Sequence, residues 1–303
     1  MEVTLRDADP RTVAARSAWR RRIAARLPAD ARIYQIAFQA VLLTIGVLVR
    51  DFALDPRQML LAFAAGLVTQ RLWLGALRLE SKGVLSAVIT CLGVSLLLRA
   101  DTLWVHPLAA ALAISSKFVL RINGKHVFNP ANLGVIAAVA LLPGTWVSPG
   151  QWGSDVALAV GFVALGGLVT ERARRFDISS VFLVAWAVLV AARVLWLGQP
   201  WTILVHQFTS GALLLFAFFM ISDPMTIPNR RSARVGYAII VALVAFGWQF
   251  ALFRTNAFLW ALFFASPLVP LIDRCWPCVA FSWHRPAEGS ARDLRTDGGA
   301  AVR

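Results

Sequence analysis

The chain reads as an all-α, polytopic integral membrane protein of about ten transmembrane helices, with both termini on the inner side. Three observations predict this. First, 58% of its 303 residues are hydrophobic and only 15% are charged, with a mean hydropathy of +0.67. A soluble domain of this size has no interior large enough to hide so much apolar surface. Second, apolar runs about as long as a bilayer is thick recur along the whole sequence. Third, positive charge alternates from loop to loop.

Ten runs are expected to be spans: about 34–52, 58–75, 83–99, 103–120, 130–147, 155–170, 178–197, 202–221, 235–252 and 256–272. Three units follow. Residues 1–32 form a basic inner tail, 33–274 the ten-helix membrane domain, and 275–303 an inner C-terminal tail, largely disordered. The basic tail is read as an amphipathic helix on the inner leaflet rather than a signal peptide, because the first apolar run is of full span length. Arginine is dense in this tail. Positive charge returns in alternate loops: Arg78 and Lys82; Lys117, Arg121 and Lys125; Arg172, Arg174 and Arg175; Arg230, Arg231 and Arg234. The intervening loops are poor in it. That pattern is the positive-inside rule and gives N-in, C-in. The localisation expected is the bacterial cytoplasmic (inner) membrane, with the lipid bilayer as one partner. The pI of 11.4 then reflects topology. The basic residues are spread over short loops rather than one stripe, so no nucleic-acid partner is expected.

The three cysteines divide into two kinds. Cys91 falls within a span, as a small core residue does. Cys275 and Cys278 form a C-x-x-C just beyond the last span, spaced for a dithiol or half a metal site. No second pair completes such a site, so no metal ligand is assigned. No catalytic residue is assigned either.

Two inner loops differ from simple connectors. In "SSKFVLRINGKHVFNPANLGV" (115–135), Asn129 followed by Pro130 reads as a helix cap and first helical residue. In "SDPMTIPNRRSAR" (222–234), Asp223–Pro224 carries the same logic, and Pro228 breaks the backbone again. Irregular backbone at membrane depth is tolerated where it is buried in protein or lines a cavity. A helix N-terminus facing such a cavity suits an anionic ligand. On residue types alone, capping and topology explain both loops more simply.

The motifs point further. "GKHVFNPANLG" (124–134) resembles the "GKhlfNPa" loop of the flavin-carrying membrane subunits of the Rnf and sodium-pumping NADH:quinone oxidoreductase complexes (RnfD/NqrB). "AFFMISDPMT" (217–226) is similar to their "AFFmatDPvT" stretch. "VPLID" (269–273) resembles their closing helix, and "LSAVIT" (85–90) is a weaker echo. The pieces fall in order over about residues 80–280. Within that family the chain resembles short stand-alone relatives, including a type found beside enediyne biosynthesis genes.

The resemblance implies a membrane-embedded electron-transfer protein relaying electrons through a flavin, with other membrane or peripheral redox subunits as partners. It also implies an FMN esterified to Thr in an S-G-A-T motif of a long outer loop. Here that loop, 143–155, is short and lacks the motif. Ser210-Gly211-Ala212 is followed by Leu213 where the acceptor Thr would stand. Covalent FMN is therefore expected to be absent. The cofactor expected is FMN or riboflavin, non-covalent, as the sodium-pump relatives hold riboflavin. The candidate cofactor-binding residues are Lys117, Lys125, His126, Asn129, Asn132, Thr209, Ser210, Asp223, Thr226 and Asn229. Phe118, Phe128, Phe218 and Phe219 are candidate ring walls. No Asp or Glu is expected near mid-bilayer, so an ion path is not indicated. Two alternatives stand beside this reading: a transporter or channel for a small planar solute such as a flavin, and a non-catalytic membrane scaffold.

Overall fold

In the computed structural model, residues 30–49, 54–79, 83–147 and 156–281 are described. The basic stretch 1–29, residues 148–155 of the outer loop and the tail beyond 281 lie outside them, with the expectations placed there. The helices are α1 (Ala31–Val49), α2 (Pro56–Ala76), α3 (Val84–Leu97), α4 (Val105–Val119), α5 (Pro130–Leu141), α6 (Val156–Arg172), α7 (Phe176–Trp196), α8 (Thr202–Thr209), α9 (Gly211–Leu215), α10 (Arg231–Phe246), α11 (Ala257–Ala265) and α12 (Leu268–Cys275). Four short strands complete the set: β1 (Leu98–Ala100), β2 (Arg121–Ile122), β3 (Lys125–His126) and β4 (Thr145–Val147). The chain is an all-α, multi-pass membrane protein. Its strands form only two antiparallel pairs, β1 with β4 and β2 with β3.

Each expected span holds a helix or a bent helix pair, but the lengths differ from expectation. Among the described residues, α1, α2, α7 and α10 with its π-helical continuation to Ala251 are long and apolar enough to cross a bilayer. The pair formed by α8 and the 211–220 segment bends by 50°, and the α11–α12 pair by 47°; counting each as one span gives six. α3, α4 and α5 have only 14, 15 and 12 residues, short of the roughly 20 a spanning helix needs.

The causes of the shortening are local. The run expected over 130–147 stops at Leu141, because Pro143 and Gly144 turn the chain and 145–147 pair with β1. Gly144 has φ +65°, and Asp101 donates its N–H to the Gly144 carbonyl at 3.0 Å. The run over 202–221 breaks at Ser210, whose backbone is extended. Beyond it, Phe216–Met220 is π-helical.

A helix that ends early leaves carbonyls without partners. Arg99, fully buried, answers this at the end of α3. Its guanidinium donates to the carbonyls of Ser95 (2.9 Å), Leu98 (2.6 Å) and Leu96 (3.4 Å). The His106 ring meets the Leu98 carbonyl at 3.1 Å, and Gln58 donates to Ala100 O at 2.8 Å. Irregular backbone is thereby satisfied inside the protein.

Packing follows the rule for helices in lipid, where small residues let backbones meet. A Cβ at Gly134 of α5 would lie 2.6 Å from the Ala109 carbonyl of α4. α2 buries Gln58, Ala62, Gly66 and Gln70 on one face and exposes Leu60, Leu61, Val68 and Leu72 on the other. On the far side, aromatic rings join α7, the 211–220 segment and α11: Phe182 with Phe216 (5.0 Å), Trp186 with Phe258 (4.9 Å) and Phe216 with Phe258 (5.4 Å).

Arg99→Leu strips three carbonyls of their donor. Since a buried unsatisfied group costs about 1–3 kcal/mol, the variant should lose at least ~3 kcal/mol in detergent unfolding. An unchanged unfolding midpoint would show that the cap is dispensable.

Candidate functional site

Most of the candidate residues gather at one end of the bundle, where the charge rule places the inside. The hairpin β2–β3 carries Lys125 and His126 there. The loop 222–230 faces it, and the C-terminal end of α12 closes the third side. Lys125, only 8% exposed, is the central tie. Its ammonium donates to the Ile227 carbonyl, to Asn229 Oδ1 at 3.3 Å and to Asp273 Oδ2 at 2.7 Å. Asp273 also accepts from Asn229, through its backbone N–H at 2.8 Å and side-chain Nδ2 at 3.1 Å. The same loop is held from behind by Arg234. It donates to the Asn229 carbonyl at 2.6 Å and pairs with Asp177 through Nη2 at 2.6 Å and Nε at 2.9 Å.

The two prolines act differently. Asn129 caps α5 as expected: its Oδ1 accepts from Asn132 N–H at 3.1 Å, with Pro130 at the first helical position. Asp223 does not start a helix, contrary to expectation. Its Oδ1 accepts from Met225 N–H at 3.0 Å, and Thr226 donates to the Asp223 carbonyl through both N–H (3.1 Å) and hydroxyl (3.2 Å). Pro228 stops this turn from propagating, and the next helix begins only at Arg231. The two loops touch where Asn129 Nδ2 donates to Asp223 Oδ2 at 3.4 Å.

Two cavities open beside this cluster. The first lies between α1, α3, the start of α5 and residues 215–225. Its inner volume is about 70 Å³, within an open cleft of about 690 Å³. Arg32, Gln35, Gln39, Ser86, Thr90, His126, Asn129 and Asp223 supply polar lining; Ile89, Leu215, Phe219, Met220 and Pro224 are among the apolar wall. Gln39 Oε1 and His126 Nδ1 are buried with no hydrogen-bond partner. The second cavity, about 160 Å³, is lined by Lys125, His126, Asn229, Asp273 and Cys278 among others. His126 belongs to both walls.

Not every expected residue joins. Lys117 is buried and donates to Ser86 Oγ at 3.3 Å. Asn132 lines neither cavity; its Nδ2 clips α5 to the Leu259 carbonyl at 3.1 Å. Thr226 is consumed by the turn. Thr209 and Ser210 are remote, separated from Asp223 by the 211–220 helical segment, about 15 Å at 1.5 Å per residue. The Thr209 hydroxyl bonds Val205 O and His206 O of its own helix. Of the four expected ring walls, only Phe219 lines the first cavity. Phe118 stacks on Trp73 (5.6 Å), Phe128 on Phe263 (5.0 Å), and Phe218 sits against Gly166.

Two signals in the sequence would have found the missing partners. Asp273 is a carboxylate in the last turn of a helix, where the dipole disfavours one and a cation must answer it. Arg32, Gln35 and Gln39 form a polar stripe, one helical face, in an otherwise apolar α1.

Burial sets the charge states. Asp223 is pushed above the usual carboxylate range by burial, against the Met225 N–H and the Lys117 and Lys125 charges. Lys125 is lowered by burial, with Asp273 opposing. The His126 imidazole is lowered to about 4 by burial first, then by Lys117 and Arg121, and is neutral at pH 7.

The architecture defines a class: a multi-pass, all-α membrane protein with a polar, partly charged cleft at one bundle end. Sequence comparison narrows it. Residues 140–281 match the model of the NQR2, RnfD, RnfE family. Over 151 residues the chain is 31% identical to the RnfD protein of the ion-translocating oxidoreductase complex of Erwinia tasmaniensis, covering 48% of this chain and 37% of that protein. It is 30% identical over 148 residues, with the same coverages, to the protein of the same description from Escherichia coli O6:H1. These matches support the RnfD/NqrB family that the loop motifs resemble. The matched stretch spans little more than a third of each relative's length. The family match includes the 217–226 and 269–273 motifs; the "GKHVFNPANLG" loop lies before it and packs onto it through Lys125.

Lys125→Met leaves Asp273 buried without its cation and should cost roughly 3–5 kcal/mol. Lys125→Met with Asp273→Leu should recover most of that; a double variant as unstable as the single one would contradict the pairing. His126 binds a proton near pH 6.5 when unfolded but only near 4 when folded. Stability therefore rises with pH across that window, by up to about 3 kcal/mol. His126→Gln should flatten this part of the pH–stability profile; an unaltered slope would place the titration elsewhere.

Proposed function

We propose that this chain is a membrane component of an ion-translocating oxidoreductase complex in the bacterial inner membrane. In this reading it relays electrons through a non-covalently bound FMN or riboflavin in the first cleft. Partner subunits, membrane-embedded or peripheral, supply and take the electrons. The observation that carries the reading is the cleft itself: an apolar wall of Phe219, Met220 and Pro224 faces a polar one in which Gln39 Oε1 and His126 Nδ1 await partners.

The residues present fit a flavin ring edge. The inner cavity of about 70 Å³ holds a few water-sized groups, so a fused ring would lie in the open part of the cleft. A flavin bound there would supply one- and two-electron redox chemistry, while the protein binds, orients and tunes. Gln39 Oε1 accepts one N–H or O–H. Neutral His126 accepts or donates according to tautomer. The N-terminus of α5 and the Lys117 ammonium favour negative charge at the cleft's inner end. Asp223, close to its neutral form through burial, adds little opposing charge. Since Ser210-Gly211-Ala212 precedes Leu213 and lies away from the cleft, attachment there has no acceptor hydroxyl.

The bent pairs at 50° and 47° also favour a second reading, a transporter for a small planar solute, because broken helices bring their termini to internal binding sites.

The visible spectrum of the detergent-purified protein separates the two. The redox reading expects flavin absorption, released into the supernatant by acid precipitation. A protein that stays colourless after flavin is added would sink it, and colour retained in the pellet would reverse the non-covalent assignment. Asp223→Asn keeps an acceptor for Met225 N–H and removes a buried charge, so thermal stability should hold while flavin content changes. Gln39→Leu should lower flavin content without lowering stability. Full retention in both variants would show that flavin sits elsewhere.

A further inference from the structure

The C-terminal C-x-x-C is not used by the flavin reading, yet its placement is specific. Cys275 is the last residue of α12, the chain bends at Trp276, and Pro277 precedes Cys278. Both thiols are free and exposed, whereas Cys91 is buried. Cys278 lines the second cavity beside Lys125 and Asp273.

The cation that faces Cys278 comes from elsewhere in the fold. Arg175, in the link between α6 and α7, is 9% exposed. Its guanidinium donates to the Arg174 carbonyl at 3.0 Å and covers the Phe281 ring at 4.9 Å. Its Nε–H is buried without a partner. Lys125 is already engaged by Asp273, and Asp177 by Arg234 and, at 3.8 Å, Arg231. An unpartnered guanidinium donor at the wall behind an exposed thiol favours the thiolate and an anion beside it.

We propose that Cys278 and Cys275 form a thiol–disulfide exchange site that takes a small acidic disulfide, a carboxylate-bearing thiol dimer of the glutathione class. The step balances. The Cys278 thiolate attacks one sulfur of the disulfide, forming a mixed disulfide as one thiolate leaves and takes a proton. Cys275, as thiolate, attacks the Cys278 sulfur and expels the second. The pair loses two electrons and two protons in becoming an intrachain disulfide, and the small disulfide gains both as two thiols. Cys278 attacks first because it lines the cavity; Cys275 resolves. This exchange stands independently of the flavin reading, since it needs neither the first cleft nor a cofactor.

The test uses the full chain in detergent, incubated with mixtures of reduced and oxidised glutathione, alkylated and analysed by peptide mass spectrometry. Cys275 and Cys278 should become protected together as one internal disulfide that reduced glutathione reopens, with Cys91 unreactive. Cys275→Ser should accumulate one glutathione on Cys278. Cys278→Ser should acquire it on Cys275 several-fold more slowly. Arg175→Gln should slow the first step towards glutathione more than towards the uncharged disulfide of mercaptoethanol. Two thiols that stay free across the whole series, only intermolecular disulfides, or equal rates for both single-cysteine variants would each overturn the proposal.

Discussion

The Lys125 ammonium is the point on which this end of the molecule depends. It is a single charge, nearly removed from water, that joins three chain segments far apart in sequence: the β2–β3 hairpin, the loop at Ile227 and Asn229, and Asp273 at the end of α12. A buried charge of this kind is expensive when any partner is lost and close to neutral when all are present. It therefore acts less as a source of stability than as a specification of which segments meet. Because the hairpin also carries His126, and the facing loop Asp223, fixing Lys125 fixes the shared wall of both cavities.

Much of the fold was legible because hydrophobic run length and loop charge are coarse, additive signals. Every apolar run became a helix or bent pair. The lengths were less legible, because hydropathy does not distinguish a helix from apolar residues that leave it. Leu98 and Val147 are as apolar as their helical neighbours, yet they pair as strands. What ends the helices there is a Gly at positive φ and an arginine donating to carbonyls, neither of which changes a window average.

The candidate site divides the same way. Lys125, His126, Asn129, Asp223 and Asn229 were found because turn residues and charge cluster in short loops and those loops meet. Thr209 and Ser210 were drawn in by sequence proximity to a motif, and the helical segment after them carries the chain away. Asp273 escaped because it belongs to a helix rather than a loop. Gln39 escaped because a lone amide in an apolar helix reads as noise until its neighbours are known. The phenylalanines show the limit most plainly: four rings of one type sit near the loops, and only packing decides that Phe219 faces a cavity while the others face rings or a glycine.

The short α5 has a consequence for how the protein enters the membrane. A 12-residue apolar helix is too short to span a bilayer by itself, and each unsatisfied backbone group in lipid costs several kcal/mol. Its acceptance has to wait for α4, whose backbone it touches at Gly134 and Ala109. α3 faces a related barrier, since the Arg99 that closes it is unfavourable in hydrocarbon until the guanidinium has found its carbonyls. The translocon therefore has to hold α3, α4 and α5 together and release them to the bilayer as one assembled unit, so biogenesis in this region is cooperative rather than helix by helix.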